Sequence, residues 1–282
     1  MFTGMTISFK NRLLNKMNLN LFLKFVSVSF QKQVTYRFDC FVGIINGFLY
    51  VFIFTSLWKA LYSQFDTTVH NGYTLTAIVT YAVLVMAVRI SFTMDDSIIY
   101  RKVMDGSIAM ELVRPTSFFF MNLAENVGHS LFHMMARTTP IVIISIFLFH
   151  IAIPFEVSRF LVFFVSFVAG YLLVSMLNFI AGLLAFWFIE IFPFMLFKYA
   201  LYTFFAGGIV PIDFFPEFLK PIVKLLPFQY MLYFPTTILI GRTSLAEAQS
   251  IIMVQLMWIV IMGFICALMW NAGKKKLIIQ GG

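Results

Sequence analysis

The sequence predicts an all-α integral membrane protein with six transmembrane helices, and three observations predict it. Of 282 residues, 61% are hydrophobic and only 11% are charged, where soluble domains stand at about 45–50% and about 25%. The 37 phenylalanines are too many to hide in a water-soluble core of this length. Apolar runs of about 20 residues, enough to cross about 30 Å of hydrocarbon, recur along the chain.

The whole of 1–282 reads as one transmembrane domain, with spans at 40–61, 73–94, 133–153, 159–184, 189–208 and 251–270. Pro140 should kink the third. The apolar stretch from Arg159 to Ile191 is too long for one crossing at about 1.5 Å per residue, so it divides into two. Ahead of the first span, 1–39 is a cytoplasmic and interfacial segment. Leu21 to Asp39 reads as an amphipathic helix on the inner membrane surface, with Phe22, Val26 and Phe30 on one face and Lys24 and Lys32 on the other. It is not a cleavable signal, because Lys24 breaks its apolar stretch and no small-residue cleavage site follows. Gly43 and Gly47 in span one form a GxxxG that permits close helix approach.

Orientation follows from Lys and Arg in the short flanks. Lys10, Arg12, Lys16, Lys24, Lys32 and Arg37 precede span one, Arg101, Lys102 and Arg114 follow span two, and Lys274, Lys275 and Lys276 close the chain. The opposite face holds Lys59, Arg159, Lys220, Lys224 and Arg242. The richer face is cytoplasmic, so both termini are cytoplasmic. This asymmetry, matched to anionic inner-leaflet lipid, accounts for the net charge of +8 without any nucleic acid. Cys40 and Cys266 lie in apolar runs and read as packing residues.

Between spans two and three, 95–120 is the longest polar cytoplasmic connection. Asp95 and Asp96 can cap a helix, Gly106 breaks the run and Pro115 restarts it, which predicts one or two short helices. Ile108, Leu112 and Val113 are expected to face inward, leaving Arg101, Lys102, Glu111 and Arg114 to a soluble partner. Glu125, His129, His133 and Arg137 then recur every four residues, a single stripe on a helix. Three readings of it stand open: a metal or haem site, a polar seam lining a cavity, or an interfacial face with Arg137 at the headgroups. Glu190 marks the inner end of span five, and Lys198, about 12 Å deeper, must pair, snorkel or face a substrate.

The segment 209–245 is too rich in proline for a crossing helix and too apolar for an ordinary loop. It holds five of the nine prolines: Pro211, Pro216, Pro221, Pro227 and Pro235. Each removes a donor and interrupts a helix. Phe214, Phe215, Phe218, Leu225 and Leu226 would keep the pieces in the outer leaflet, with Asp213, Glu217, Lys220 and Lys224 toward the outer water or headgroups. No GxxxxGK[ST], HExxH, GxSxG or Cys/His metal spacing occurs, so the chain has no P-loop of its own for ATP and little material for catalysis.

Four stretches in this order, DGSIAMELVRP (105–115), GGIVPIDFFP (207–216), PFQYMLYFPTTILIG (227–241) and KKKLIIQGG (274–282), resemble the ABC-2 type export permeases over nearly the whole chain. The subgroup is one whose permeases often come as two different subunits served by one ATPase. The resemblance implies an ABC-2, type V exporter-like fold with a cytoplasmic coupling helix and outer re-entrant half-helices. It implies a non-catalytic subunit that moves an amphipathic or hydrophobic substrate out of the cytoplasm or inner leaflet. ATP and Mg²⁺ would be held by a separate ATP-binding-cassette ATPase, and this chain would hold no cofactor or metal. A second permease subunit, as a heterodimer in preference to a homodimer, and membrane lipid are the other partners. The place is a bacterial cytoplasmic (inner) membrane. Coupling to the ATPase would fall to Tyr100, Arg101, Lys102, Asp105, Gly106, Glu111, Arg114 and Pro115. The outer gate would be Gly207, Gly208, Pro211, Phe214, Phe215, Pro216, Pro227 and Pro235. Glu125, His129, His133, Arg137, Glu190 and Lys198 are the candidates for the path. The rival from another class is a membrane-embedded lipid-modifying enzyme using Glu125, His129 and His133.

Overall fold

A computed structural model describes residues 19–35, 37–64, 69–114, 116–149, 151, 154 and 156–280. Among them are twelve α-helices and one two-stranded hairpin. Helix α1 (Leu19–Val34) precedes α2 (Arg37–Tyr62), and the hairpin β1 (Val69–His70) and β2 (Tyr73–Thr74) leads into α3 (Leu75–Ser91). The short α4 (Ile98–Met104) and α5 (Ile108–Val113) come next. Then α6 (Phe118–His133), a π turn (Met134–Thr138) and α7 (Thr139–Phe149) run on as one long helix, followed by α8 (Val157–Leu183). The chain ends with α9 (Phe192–Phe205), α10 (Lys220–Leu225), α11 (Tyr233–Leu239) and α12 (Leu245–Gln280).

Among the described residues four helical stretches are long and apolar enough to cross a membrane: Phe38–Tyr62, Phe118–Phe149, Val157–Phe186 and Leu245–Lys276. They carry the first, third, fourth and sixth predicted spans, but the third helix begins at Phe118 rather than 133. The second and fifth predicted spans correspond to shorter apolar helices, α3 with 17 residues and α9 with 14. At about 1.5 Å per residue these are about 26 and 21 Å long, less than a full hydrocarbon layer. α3 starts where the Thr74 hydroxyl accepts from the Ala77 amide at 3.2 Å. The division of the long apolar run falls where α8 ends in a 3₁₀ turn (Leu184–Phe186) and α9 restarts with Pro193 in its first turn.

Pro140 acts through its missing donor. A proline has no N–H for the carbonyl four residues back, here Ala136, and the Cys40 thiol of α2 reaches that oxygen at 3.7 Å. The helix widens into the π turn immediately before, where Met134 O accepts from both the amide and the hydroxyl of Thr139. So the disruption expected at Pro140 takes the form of a π turn, and Cys40 has a bonding role besides packing.

Without a hydrophobic drive inside lipid, helices associate by close approach and polar contacts. Gly43 lies under the Arg137 guanidinium and Gly47 under Ile141, so the GxxxG of α2 is spent on the third crossing within the chain. Gln255 on α12 donates to Ser166 O of α8 at 3.1 Å and to Tyr230 O at 2.8 Å. α1 lies along α6: Phe30 meets Phe132 edge-on at 5.8 Å, and Ser29 Oγ donates to Glu125 O at 2.6 Å. Phe22, Val26 and Phe30 are half-buried there while Lys24 and Lys32 are exposed, the face expected from their spacing. Gly128 makes this approach possible, since a Cβ there would overlap the Val26 carbonyl and sit 2.7 Å from Ser29 Cβ.

Gly128→Leu is therefore expected to lift α1 from α6 at a cost of about 1–3 kcal/mol. Faster tryptic cleavage at Lys24 and Lys32 and a lower unfolding temperature in detergent would show it; an unchanged digest would contradict the packing.

Candidate functional site

Three layers of polar chemistry lie along the bundle. At the tip formed by α4 and α5, Asp95 Oδ1 accepts from the Ser97 amide at 3.2 Å and its hydroxyl at 2.9 Å, opening α4, and Arg101 closes on Asp95 at 2.5 Å. Burial alone would raise the Asp95 carboxyl, but the bonds from Arg101 and Ser97 outweigh it and hold it below the usual carboxylate range. Asp105 Oδ1 accepts from the Ser107 amide at 2.9 Å, and Gly106 turns the chain at φ 75°. Nothing lies within 4 Å of a Cβ built on Gly106, so the glycine is required by backbone conformation and not by space. On α5, Ile108 is fully buried, as expected.

The charges are not where sequence placed them. Glu111 is only 7% exposed and holds Lys102 and Arg114, each at 3.0 Å, and Lys102 also lies 3.7 Å from Glu125. Lys102, Glu111 and Arg114 thus satisfy one another, and Arg101 is bound to Asp95, instead of standing free for a partner. Leu112 and Val113, expected inward, are exposed: Val113 is 86% exposed, Met110 65%, and Met104 joins them. The six-residue α5 can bury only one stripe, and Ile108 with Glu111 takes it. Behind this apolar tip, Ile99 of α4 fills a notch at Gly182 of α8, where a Cβ would sit 2.9 Å from Ile99 Cβ. Tyr100, half-buried, lines a cavity together with Asp95, Asp96, His129 and Glu190. Pro115 lies outside the described residues.

The stripe on α6 splits. Glu125 turns to Lys102, His129 Nδ1 lies 3.2 Å from Thr93 O and 4.5 Å ring to ring from His133, and Arg137 donates to Asp39 O at 2.7 Å. Among the described residues no three His, Cys, Asp or Glu side chains converge where a metal could sit. Glu190, at the exposed inner end of α9, accepts from the Phe192 amide at 2.8 Å and serves as its cap.

Deeper in, Lys198 on α9 is 8% exposed and reaches Asp96 at 2.6 Å and Asn178 Oδ1 of α8 at 2.7 Å. Of the three fates expected for it, pairing is what the fold provides. The pair lines a cavity of about 230 Å³ with Arg89, Tyr199 and Tyr202. Arg89 lies 4.6 Å over the Tyr50 ring and donates to Met86 Sδ at 2.9 Å. A second cavity of about 720 Å³, lined by Asp95, Asp96, Tyr100, His129 and Glu190, shares Asp96 with the first. Arg89, Asn178 and Tyr202 were missed from sequence; an arginine inside AVLVMAVRISF was the available signal.

At the opposite end, the hydroxyls of Tyr73 and Tyr233 both donate to Asp213 Oδ2 at 2.8 Å. Asp213 is thus held by the protein and not turned to water. Tyr81 donates to Gly207 O at 2.7 Å and Tyr50 to Gly208 O at 3.1 Å, and Gly207 adopts φ 74°. Phe214 packs against Trp58 at 5.2 Å, and Phe215 stacks on Phe204 at 5.0 Å. Pro211 precedes a 3₁₀ turn (Ile212–Phe214), Pro227 precedes another (Phe228–Tyr230), Pro216 O accepts from Leu219 N at 2.9 Å, and Pro235 is buried in α11. Glu217 and Lys220 pair at 2.7 Å, Glu217 fully outward. The eight residues named for the outer gate thus lie in the turns and short helices that follow α9, with contacts to α2, α3 and α9.

The family described as ABC-2 family transporter protein matches residues 47–281. The chain belongs to this family. No curated protein matches it. As an ABC-2 transporter it is a multi-pass membrane permease component of an ABC exporter, and such permeases generally work with an ATPase subunit and are not themselves catalytic. The α4–α5 tip, the Lys198 cavity and the segment around Asp213 all fall within the matched residues.

The Lys198–Asp96 pair has unequal partners, because Asp96 is 42% exposed and Lys198 is not. Asp96→Asn leaves a buried ammonium and is expected to cost about 3–5 kcal/mol, whereas Lys198→Met leaves a carboxylate that water can reach and costs clearly less. The double variant should recover most of the loss; equal and additive losses in detergent unfolding would contradict the pairing.

Proposed function

We propose that the chain is the membrane half of an ATP-driven exporter whose hydrolysing subunit docks on the apolar tip of α4 and α5. The observation that carries this is the exposure of Met104, Met110, Leu112 and Val113 on a segment whose charges are bound to one another. Apolar side chains standing outside a charged cytoplasmic connection call for a covering protein surface, and satisfied charges leave apolar contact as the main attraction. Arg101 and Arg114 remain half-exposed at its edge and supply orientation more than affinity. ATP and Mg²⁺ belong to the docked subunit. Two permease halves, the second a different chain, face each other across the path in a bacterial cytoplasmic membrane, with both termini cytoplasmic.

Movement at the tip reaches the bundle by two routes. Ile99 in its notch carries it to α8, and Asp96, two residues ahead of α4, carries it to α9 through Lys198. The outer cap opens when its tyrosine contacts to Asp213 and the Gly207–Gly208 carbonyls exchange. Such a switch works only if nucleotide binding favours one of two populated states. The cargo is amphipathic or hydrophobic and leaves from the cytoplasm or the inner leaflet. The lipid-modifying enzyme is the weaker reading, because of Glu125, His129 and His133 the first faces Lys102 and the second is turned to the Thr93 carbonyl.

The test is Met110→Asp with Val113→Asp in the chain co-expressed with its ATP-binding-cassette subunit. Losing two apolar anchors at about 2 kcal/mol each weakens docking by a hundredfold or more. Co-purification and stimulated ATP hydrolysis should disappear while the chain keeps its unfolding temperature. Retained stimulation would overturn the docking site.

A further inference from the structure

The inner cavity carries a sign of charge that neither its walls nor the coupling machinery uses. Among the described residues no ion pair within 4.0 Å joins Arg89 to a carboxylate; its guanidinium lies over the Tyr50 ring and donates to the Met86 sulfur. Tyr202, on α9 and only 8% exposed, also lines the cavity, and its hydroxyl has no hydrogen-bond partner among the described residues. Lys198 places two of its three N–H groups on Asp96 and Asn178, leaving one. Against these free donors the cavity offers one acidic group, Asp96, which Lys198 already neutralises. In the adjoining cavity Asp95 is paired with Arg101, while the exposed Glu190 carboxylate accepts from the Phe192 amide and keeps its charge. The lining of the smaller cavity therefore has an excess of donors and one more cation than anion.

We infer that this cavity binds the oxyanion head of an amphiphile (carboxylate, phosphate or sulfate), with Arg89 and the Tyr202 hydroxyl as its direct contacts. A guanidinium is suited to paired oxygens, and an unused buried hydroxyl supplies the additional donor that such a head requires. About 230 Å³ holds roughly seven waters, room for a head and the first carbons of a tail. The remaining lining, Ile90, Phe92, Val174 and Leu177, suits those carbons. This deepens the export reading above and rests on it for the cavity's role as part of the path. Binding itself does not depend on that reading.

The experiment uses the full chain with its ATPase subunit in phosphatidylcholine nanodiscs. The probes are a dansyl-labelled long-chain carboxylate and the trimethylammonium amphiphile of the same tail, with empty discs as the partition control. The carboxylate should bind and the ammonium should not. Arg89→Gln should weaken carboxylate binding by roughly ten- to a hundredfold, the loss of one charge-assisted bond. Tyr202→Phe should weaken it severalfold without lowering the unfolding temperature, because the hydroxyl it removes is bonded to nothing. Equal binding of the ammonium probe, or carboxylate binding unchanged in Tyr202→Phe and in folded Arg89→Gln, overturns the inference. Discs containing phosphatidylglycerol separate the sources of the head. Displacement of the probe supports the site and assigns it to membrane lipid, and persistence supports it and assigns it to another amphiphile. Co-purification of the ATPase is read in every sample. A chain that binds the carboxylate but holds no ATPase refutes the exporter reading, and one that holds the ATPase but ignores the carboxylate refutes the anion site.

Discussion

The ion pair between Lys198 and Asp96 is the constraint around which the inner half of this protein is arranged. An ammonium at this depth is costly, by about 2.5–3.5 kcal/mol on insertion scales, and it persists because Asp96 and Asn178 both reach it. That requirement draws together three elements far apart in sequence: α9, α8 and the residues just ahead of α4. It also fixes where α4 begins, and with it the position of Ile99 against Gly182. The tip turns at Gly106, Glu111 gathers Lys102 and Arg114, and the residues left outside are apolar. One buried charge thus shapes both the lining of the cavity and the apolar surface of the tip.

The outer half follows a different rule. Five prolines remove backbone donors in a segment that must lie among apolar side chains, and unhelical backbone at membrane depth is tolerated only where protein satisfies it. Tyrosine hydroxyls supply part of that satisfaction, on the Gly207 and Gly208 carbonyls and on Asp213. Phe214 and Phe215 seal the same region with ring contacts to Trp58 and Phe204. Polar bonds facing inward and aromatic surface between them hold this segment without any covalent link.

What was legible in the sequence is what depends on composition and short spacing. The membrane class, the main apolar helices, the face of α1 bearing Phe22, Val26 and Phe30, the glycine turn of the tip and the irregular outer segment all follow from residues within a few turns of one another. What was not legible depends on contacts across the bundle. Glu111 looked like a solvated charge because its two cations are set by the fold and not by helical spacing alone. Asp213 looked like an outward acid because the Tyr73 hydroxyl that binds it lies 140 residues away. Leu112 and Val113 looked buried because apolarity was taken as burial, yet α5 has room to bury only Ile108 and Glu111. Arg89 was passed over inside an apolar run, where an unpaired charge was the strongest local signal available.

The central claim is that nucleotide-driven movement at the tip reaches the cavity through Asp96 and Lys198. It is tested most directly by placing a cysteine at Tyr199, which is exposed beside the pair, and measuring its reaction with a membrane-impermeant thiol reagent in the ATPase-bound complex, with and without ATP and vanadate. Cys40 and Cys266 are buried and give a low background. The account predicts that the labelling rate changes on trapping, and that in Lys198→Met/Asp96→Asn the change is lost while ATP hydrolysis continues. A nucleotide response of the same size in that double variant would contradict it.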